Sequence, residues 1–109
     1  MTEHASKQYD LDLDSIRSRV LAMGGLVESQ IRRAIDALGS GNVALSDEVI
    51  EADHKVNAME VALDEDCSQL IVRRQPAAGD LRMIFAIMKI VTDLERIGDE
   101  AQKIARMAK

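Results

Sequence analysis

Aromatic residues are nearly missing: the 109 residues include one Tyr, one Phe and no Trp. A β-sheet draws on aromatic and β-branched side chains, so this scarcity argues for helices. It also removes the stacking platforms that hold single-stranded nucleic acid. Excess positive charge is missing as well. The formal net charge is −5, which disfavours a phosphate-backbone partner, so no nucleic acid is expected. The single cysteine, Cys67, cannot close an internal disulfide, which fits a reducing compartment. No apolar run approaches the length of a membrane span, and the start of the chain is polar rather than leader-like. A cytoplasmic chain without direct membrane insertion is expected. Phosphate-cradling glycine loops, a Walker lysine and catalytic-triad spacings are absent too, so no enzyme is expected.

What is present is an ordinary globular mixture, 47% apolar and 30% charged, with enough chain for one domain and one core. Strong breakers occur at two places, Gly39-Ser40-Gly41-Asn42 and Gln75-Pro76 followed by Gly79-Asp80. They divide the chain into three helical stretches, about Asp12 to Leu38, about Val43 or Asp47 to Arg74, and about Ala77 to Met107. Leu13, Ile16, Val20, Met23, Val27, Ala34 and Leu38 advance by threes, fours and sevens, forming one stripe. Gly24-Gly25 interrupts that helix in phase, as close helix packing would allow. Val49, Val56, Leu63 and Leu70 form a heptad seam in the second helix, which Asn42 or Ser46 could cap. Short connections make neighbours antiparallel. The expected fold is all-α, an elongated antiparallel three-helix bundle over residues 11–109, preceded by a polar tail over residues 1–10.

The third helix carries two apolar stripes, Met83-Ile87-Ile90-Leu94-Ile97-Ala101-Ile104 and Leu81-Ile84-Phe85-Met88-Val91, roughly opposite each other. Two partner helices can cover only part of that surface, so self-association into a dimer is expected. The second stripe then turns acidic, at Glu95 and Asp99. The seam of the second helix has Asp53, Glu60 and Cys67 beside it. Antiparallel folding about Gln75-Pro76 brings Asp53 and Glu60 to the height of Glu95 and Asp99, and folding about Ser40-Gly41 brings Glu28 level with Asp53. Carboxylates gathered on a seam repel one another and lose hydration, so a cation, an arginine or a proton must neutralise them. An oxygen-only donor set suits a divalent metal or iron (Mg, Mn, Fe or Zn). The alternative is a solvated edge, with Glu95 and Asp99 paired to Arg96, Lys103 or Lys55.

Glu51-Ala52-Asp53-His54 has the Glu-x-x-His spacing of di-iron bundles, but those need two such motifs on four helices. Cys67 reads as a buried structural thiol. Arg73, Arg74 and Arg82 bracket the start of the third helix, where free N–H groups could hold an anion; helix capping and a solvated turn are the blander account and the favoured one.

Several segments then point to one family. Asp93-Leu94-Glu95-Arg96-Ile97-Gly98-Asp99 resembles the signature of the PhoU family of phosphate-uptake regulators, with its Glu/Asp-x-x-x-Asp metal motif at Glu95 and Asp99. Arg74-Gln75-Pro76-Ala77-Ala78-Gly79-Asp80-Leu81-Arg82 resembles the family's turn between second and third helices. Asn57-Ala58-Met59-Glu60 and Met23-Gly24-Gly25-Leu26-Val27-Glu28 are similar to parts of its first repeat. The resemblance implies a repeat from a protein of two similar three-helix bundles, with a metal-binding carboxylate face. It further implies an adaptor between the phosphate ABC transporter ATPase and a phosphate-sensing histidine kinase, keeping phosphate-starvation genes off when phosphate is ample. A metal-binding or metal-storing bundle without a phosphate role is the alternative. The chain holds only the first of the family's two bundles.

Overall fold

The computed structural model describes residues 3–109, with side chains from residue 7 onward. Three α-helices make up the fold: α1 (Glu3–Ser40), α2 (Val43–Arg74) and α3 (Ala78–Met107). They form a rod with extents of 58 × 18 × 16 Å. Side-chain pairs fix the directions. Asp12–Arg74, Arg19–Asp66 and Arg33–Glu48 step backwards along α2 as they step forwards along α1, so these helices are antiparallel. The Ser46 hydroxyl donates to the Ala105 carbonyl, and Gly98 packs against Asp53 and Val56, which makes α2 and α3 antiparallel too.

The turns follow the local chemistry. Asn42 adopts an extended backbone and its side chain accepts from the Leu45 amide at 3.0 Å, satisfying one of the free donors at the start of α2. Gly41 reverses the chain at φ 66°, a region open to glycine. At the other turn Gln75 takes the left-handed conformation, φ 45°, and its N–H reaches the Ile71 carbonyl. Pro76 then forbids further α2.

The heptad seam of α2 is buried throughout: Val49, Val56, Leu63 and Leu70. The larger core joins it to Leu13, Ile16, Met23 and Val27 of α1 and to Ile84, Ile87 and Val91 of α3. A smaller core of Ala34, Val49, Ala101 and Ala105 lies at the opposite end.

Four details differ from the sequence expectation. Helix α1 begins at Glu3, within the stretch expected to be a tail, because Tyr9 continues the stripe of Leu13 and Ile16 into the core; residues 1–2 lie outside the described residues. Leu38 is exposed, and Ala37 is buried instead. Gly24 and Gly25 do not sit at a close approach, since a Cβ on either would meet open space. On α3 the buried apolar set is Ile84, Ile87, Val91, Ala101 and Ala105, one stripe that draws on both of the expected ones, while Met83, Phe85, Ile90 and Ile97 remain exposed.

Candidate functional site

Each pair of helices encloses a face with its own chemistry. Between α1 and α2, Arg19 meets Asp66 at 2.7 Å, Arg74 meets Asp12 at 3.4 Å, and Arg33 meets Glu48. A cleft on this face is lined by Asp12, Arg19, Asp66 and Arg73, whose charges compensate. Arg74 is thus engaged with a carboxylate rather than held free for an anion.

Between α2 and α3 the face is acidic. Glu60 and Glu95 lie close enough to repel. The Glu60 carboxyl is pushed above its ordinary range, first by burial and then by the charges of Glu95 and Asp64. One turn further along α3, Asp99 accepts from Gln102 and Lys103, and those hydrogen bonds hold its carboxyl below the ordinary range. The Lys103 ammonium sits 3.2 Å from Asp99 and 3.4 Å from Glu100. Lys103 is therefore the counter-ion of this edge, one of the partners the sequence offered.

Asp53 is placed differently. It is buried, and its Oδ1 has no hydrogen-bond partner. The same is true of both amide atoms of Gln30, which is 1% exposed. Both side chains converge on Gly98: a Cβ there would stand 3.0 Å from Gln30 Oε1 and 3.4 Å from Asp53 Oδ1. One residue from each helix thus builds a polar layer across the bundle. Gln30 escaped the sequence reading because it is neutral; its spacing of three from Val27 and four from Ala34 was the available signal.

Of the five carboxylates singled out in sequence, the structure brings Glu60 and Glu95 together and sets Asp99 on the same edge. Asp53 turns inward to Gln30. Glu28 is exposed and paired with Arg32 on its own helix, so it does not join Asp53. Among the described residues no three Asp, Glu, His or Cys side chains are gathered to hold a metal ion. The donors are hard oxygens in kind, and Lys103 supplies positive charge at this edge. His54 and Glu51 are exposed side by side. Cys67 is 1% exposed, and burial, with the charges of Asp64 and Asp66, pushes its thiol up, which suppresses the reactive thiolate. No helix of the described residues is long and apolar enough to cross a membrane.

Residues 20–108 match the family profile described as the PhoU domain. The chain is 51% identical over 108 residues to the phosphate-specific transport system accessory protein PhoU homolog of Pseudomonas aeruginosa, covering 99% of this chain and 45% of that one. Against the phosphate-specific transport system accessory protein PhoU of Escherichia coli K12 the identity is 48%, over 99% of this chain and 45% of the relative. The fold superposes on the crystal structure of PhoU from Pseudomonas aeruginosa with a TM-score of 0.89 and 51% identity, covering 92% of this chain and 48% of the other. On the phosphate transport system regulatory protein PhoU from Streptococcus pneumoniae the TM-score is 0.85 at 32% identity, over 92% and 47% of the two chains. The chain therefore spans a little under half the length of these relatives.

Proposed function

This chain belongs to the PhoU family, and on that premise we propose that it serves a regulator of phosphate uptake and phosphate-starvation signalling. The observation that carries the reading is 51% identity, over 108 residues, to a relative named as an accessory protein of phosphate-specific transport. In this reading the chain acts by docking. It joins the ATPase of the phosphate transporter to a phosphate-sensing histidine kinase on the cytoplasmic side, and holds starvation genes off while phosphate is plentiful. A long rod with three chemically distinct faces suits such work, because charge steers an encounter while a few buried apolar groups supply affinity.

The acidic face between α2 and α3 is the part of the molecule that a cation would change. Glu60, Glu95 and Asp99, with Asp53 behind them, are the residues that would hold a divalent metal or iron, which would neutralise the charge presented to a partner. The raised Glu60 carboxyl and the unpartnered Asp53 oxygen favour this reading.

The test is deletion of the gene in its host, grown in abundant phosphate, with alkaline phosphatase or a starvation promoter as readout. Expression that switches on despite the phosphate is expected. Expression that stays repressed would reject the regulator reading and leave the metal-holding bundle in its place.

A further inference from the structure

The turn between α2 and α3 has no role in the reading above, and the polar groups left without partners there are all able to donate. Helix α3 opens on Ala77, whose backbone is extended and whose side chain makes no cap. The N–H groups of Ala78, Gly79 and Asp80 therefore have no acceptor within the helix; the amide that follows, Leu81, reaches the Ala77 carbonyl. A Cβ on Gly79 would meet nothing within 4 Å, so the space over this first turn is open. Tyr9 stands at the same end. The Asp12–Arg74 pair sets the height of α1 against α2, and about one helical turn beyond it lie Tyr9 on α1 and Ala77 on the chain past Arg74. Tyr9 is 5% exposed, and its hydroxyl is buried without a hydrogen-bond partner. The hydroxyl is pushed above its ordinary range first by burial and then by the charge of Asp80. Asp80 belongs to the first turn of α3, so the hydroxyl faces the open amides. Arg74 remains engaged with Asp12 at 3.4 Å, but its Nε is buried and unpartnered. Arg82 is exposed in the second turn of α3, and a helical side chain leans back over the turn before it.

We infer that the start of α3, with Tyr9 and Arg82, is a binding site for a tetrahedral oxyanion of the phosphate type. Amide and guanidinium N–H groups donate and cannot accept, so the donor set disfavours a cation. The helix dipole adds positive potential at the same place. An oxyanion accepts from the α3 amides, the Tyr9 hydroxyl and Arg82 together, and hydrogen bonds to a charged acceptor are the strong ones. The donors come from two helices and from a side chain lying over one of them. Four oxygens in a tetrahedron can meet that spread, whereas the two of a carboxylate lie in one plane. Asp80 and Asp10 oppose the anion, since their charges act on the same hydroxyl. Both are exposed, where water and salt screen them. Asp80→Asn should therefore tighten binding.

The inference does not rest on the regulator reading, because its readout is binding to the purified protein. Tyr9 is the one tyrosine and there is no tryptophan, so the protein's ultraviolet emission reports this residue alone. Inorganic phosphate titrated from ~0.1 to ~20 mM at constant ionic strength, a range that brackets a millimolar site, should quench that emission saturably and raise the melting temperature. Sodium chloride at the same ionic strength should do neither. Glycerol 2-phosphate separates two sources of the same chemistry: saturation by it as well assigns the site to phosphoryl groups in general, and saturation by inorganic phosphate alone assigns it to the free ion. In calorimetric titrations Tyr9→Phe and Arg82→Gln should each weaken phosphate about tenfold. Ala77→Asp caps the open amides with a carboxylate. It should raise the melting temperature by about 4 °C and abolish phosphate binding, a pairing that a purely structural turn does not give. Arg32→Gln, far along α1, should leave binding unchanged. Far-UV circular dichroism establishes that each variant is folded, and the exposed Arg82 position keeps the test open if Tyr9→Phe is not. Emission that never saturates, chloride acting as phosphate does, or an Ala77→Asp protein that binds as well as the wild type would each overturn the inference.

Discussion

Asp53 and Gln30 meet at Gly98 with their polar atoms unpartnered, and a buried polar group without a partner costs ~1–3 kcal/mol. A half-turn of the Gln30 amide exchanges its oxygen for its nitrogen, which turns two orphan acceptors into a donor and an acceptor. A Cβ on Gly98 would press on the Gln30 amide at 3.0 Å, closer than ordinary contact, so glycine is favoured there by space. At Gly25 it is not, because a Cβ there meets nothing. The two positions predict opposite outcomes. Gly25→Ala should stabilise by ~1 kcal/mol through helix propensity alone, raising the melting temperature by about 4 °C. Gly98→Ala gains the same propensity but crowds the buried Gln30 amide, and overpacking costs ~1–3 kcal/mol. It should lower the melting temperature. Thermal unfolding of both variants decides, and a stabilising Gly98→Ala would show the polar layer to be loosely packed.

Glu60 supplies a pH test at the same scale. Its carboxyl is raised from an ordinary 4.5 by burial and by Glu95, so between that value and the folded one the native chain binds more protons than the unfolded chain. Stability therefore falls as pH rises through that window, and the cost persists at neutral pH. Glu60→Gln should raise the melting temperature by about 2 °C at pH 7 in chelator, since a half-buried like-charge pair at a helix surface costs a few tenths of a kcal/mol. Below pH 4 the gain should vanish. An equal gain at both pH values would assign the effect to packing rather than charge.

The helices themselves are set by their ends and seams. Asn42→Ala removes the hydrogen bond to Leu45 and should cost ~1 kcal/mol, lowering the melting temperature by about 4–8 °C. Gln75→Gly relieves a left-handed residue and should stabilise by ~1 kcal/mol. Calorimetry on the pair tests both, and a neutral Gln75→Gly would mean that the turn tolerates its side chain without strain. Both ends of α2 were readable because Gly41-Asn42 and Gln75-Pro76 leave the backbone few alternatives. The α2 seam was readable because its heptad is strict. The start of α1 was not, since Glu3 to Gln8 look like a solvated tail and only Tyr9 shows that this segment has a buried side. The height of Glu60 against Glu95 followed from counting residues through the turn. The roles of Glu28 and Gln30 did not, because two residues turn a helix by roughly 200° and a count along the axis ignores rotation.

At the scale of the whole rod, the polar layer divides two unequal cores. On one side Met23, Leu63, Ile84 and Val91 bury large side chains; on the other the buried set is Ala34, Val49, Ala101 and Ala105. A buried Leu or Ile contributes ~1.5–3 kcal/mol, and an alanine methyl only ~0.8 kcal/mol, so the alanine end is held by far less apolar burial per turn. Its buried polar tie is the Ser46 hydroxyl on the Ala105 carbonyl, with the exposed Arg33–Glu48 and Lys109–Asp47 pairs outside it. Asp53 and Gln30 stand between the two cores, and Ile31 is the half-buried apolar side chain that packs on both. Local opening from the alanine end, halting at the polar layer, should therefore cost less than global unfolding. Native-state hydrogen exchange tests this directly. Amides of Ala34, Val49 and Ala101 should exchange at least about tenfold faster than those of Leu63, Ile84 and Val91, a gap of ~1.4 kcal/mol. Their exchange should respond to denaturant with a smaller slope, because less surface is exposed in a partial opening. Ser46→Ala should widen the gap by speeding the alanine-end amides alone. Uniform protection along all three helices, with one common slope, would instead mean that the rod opens as a single unit and that the polar layer transmits stability rather than dividing it.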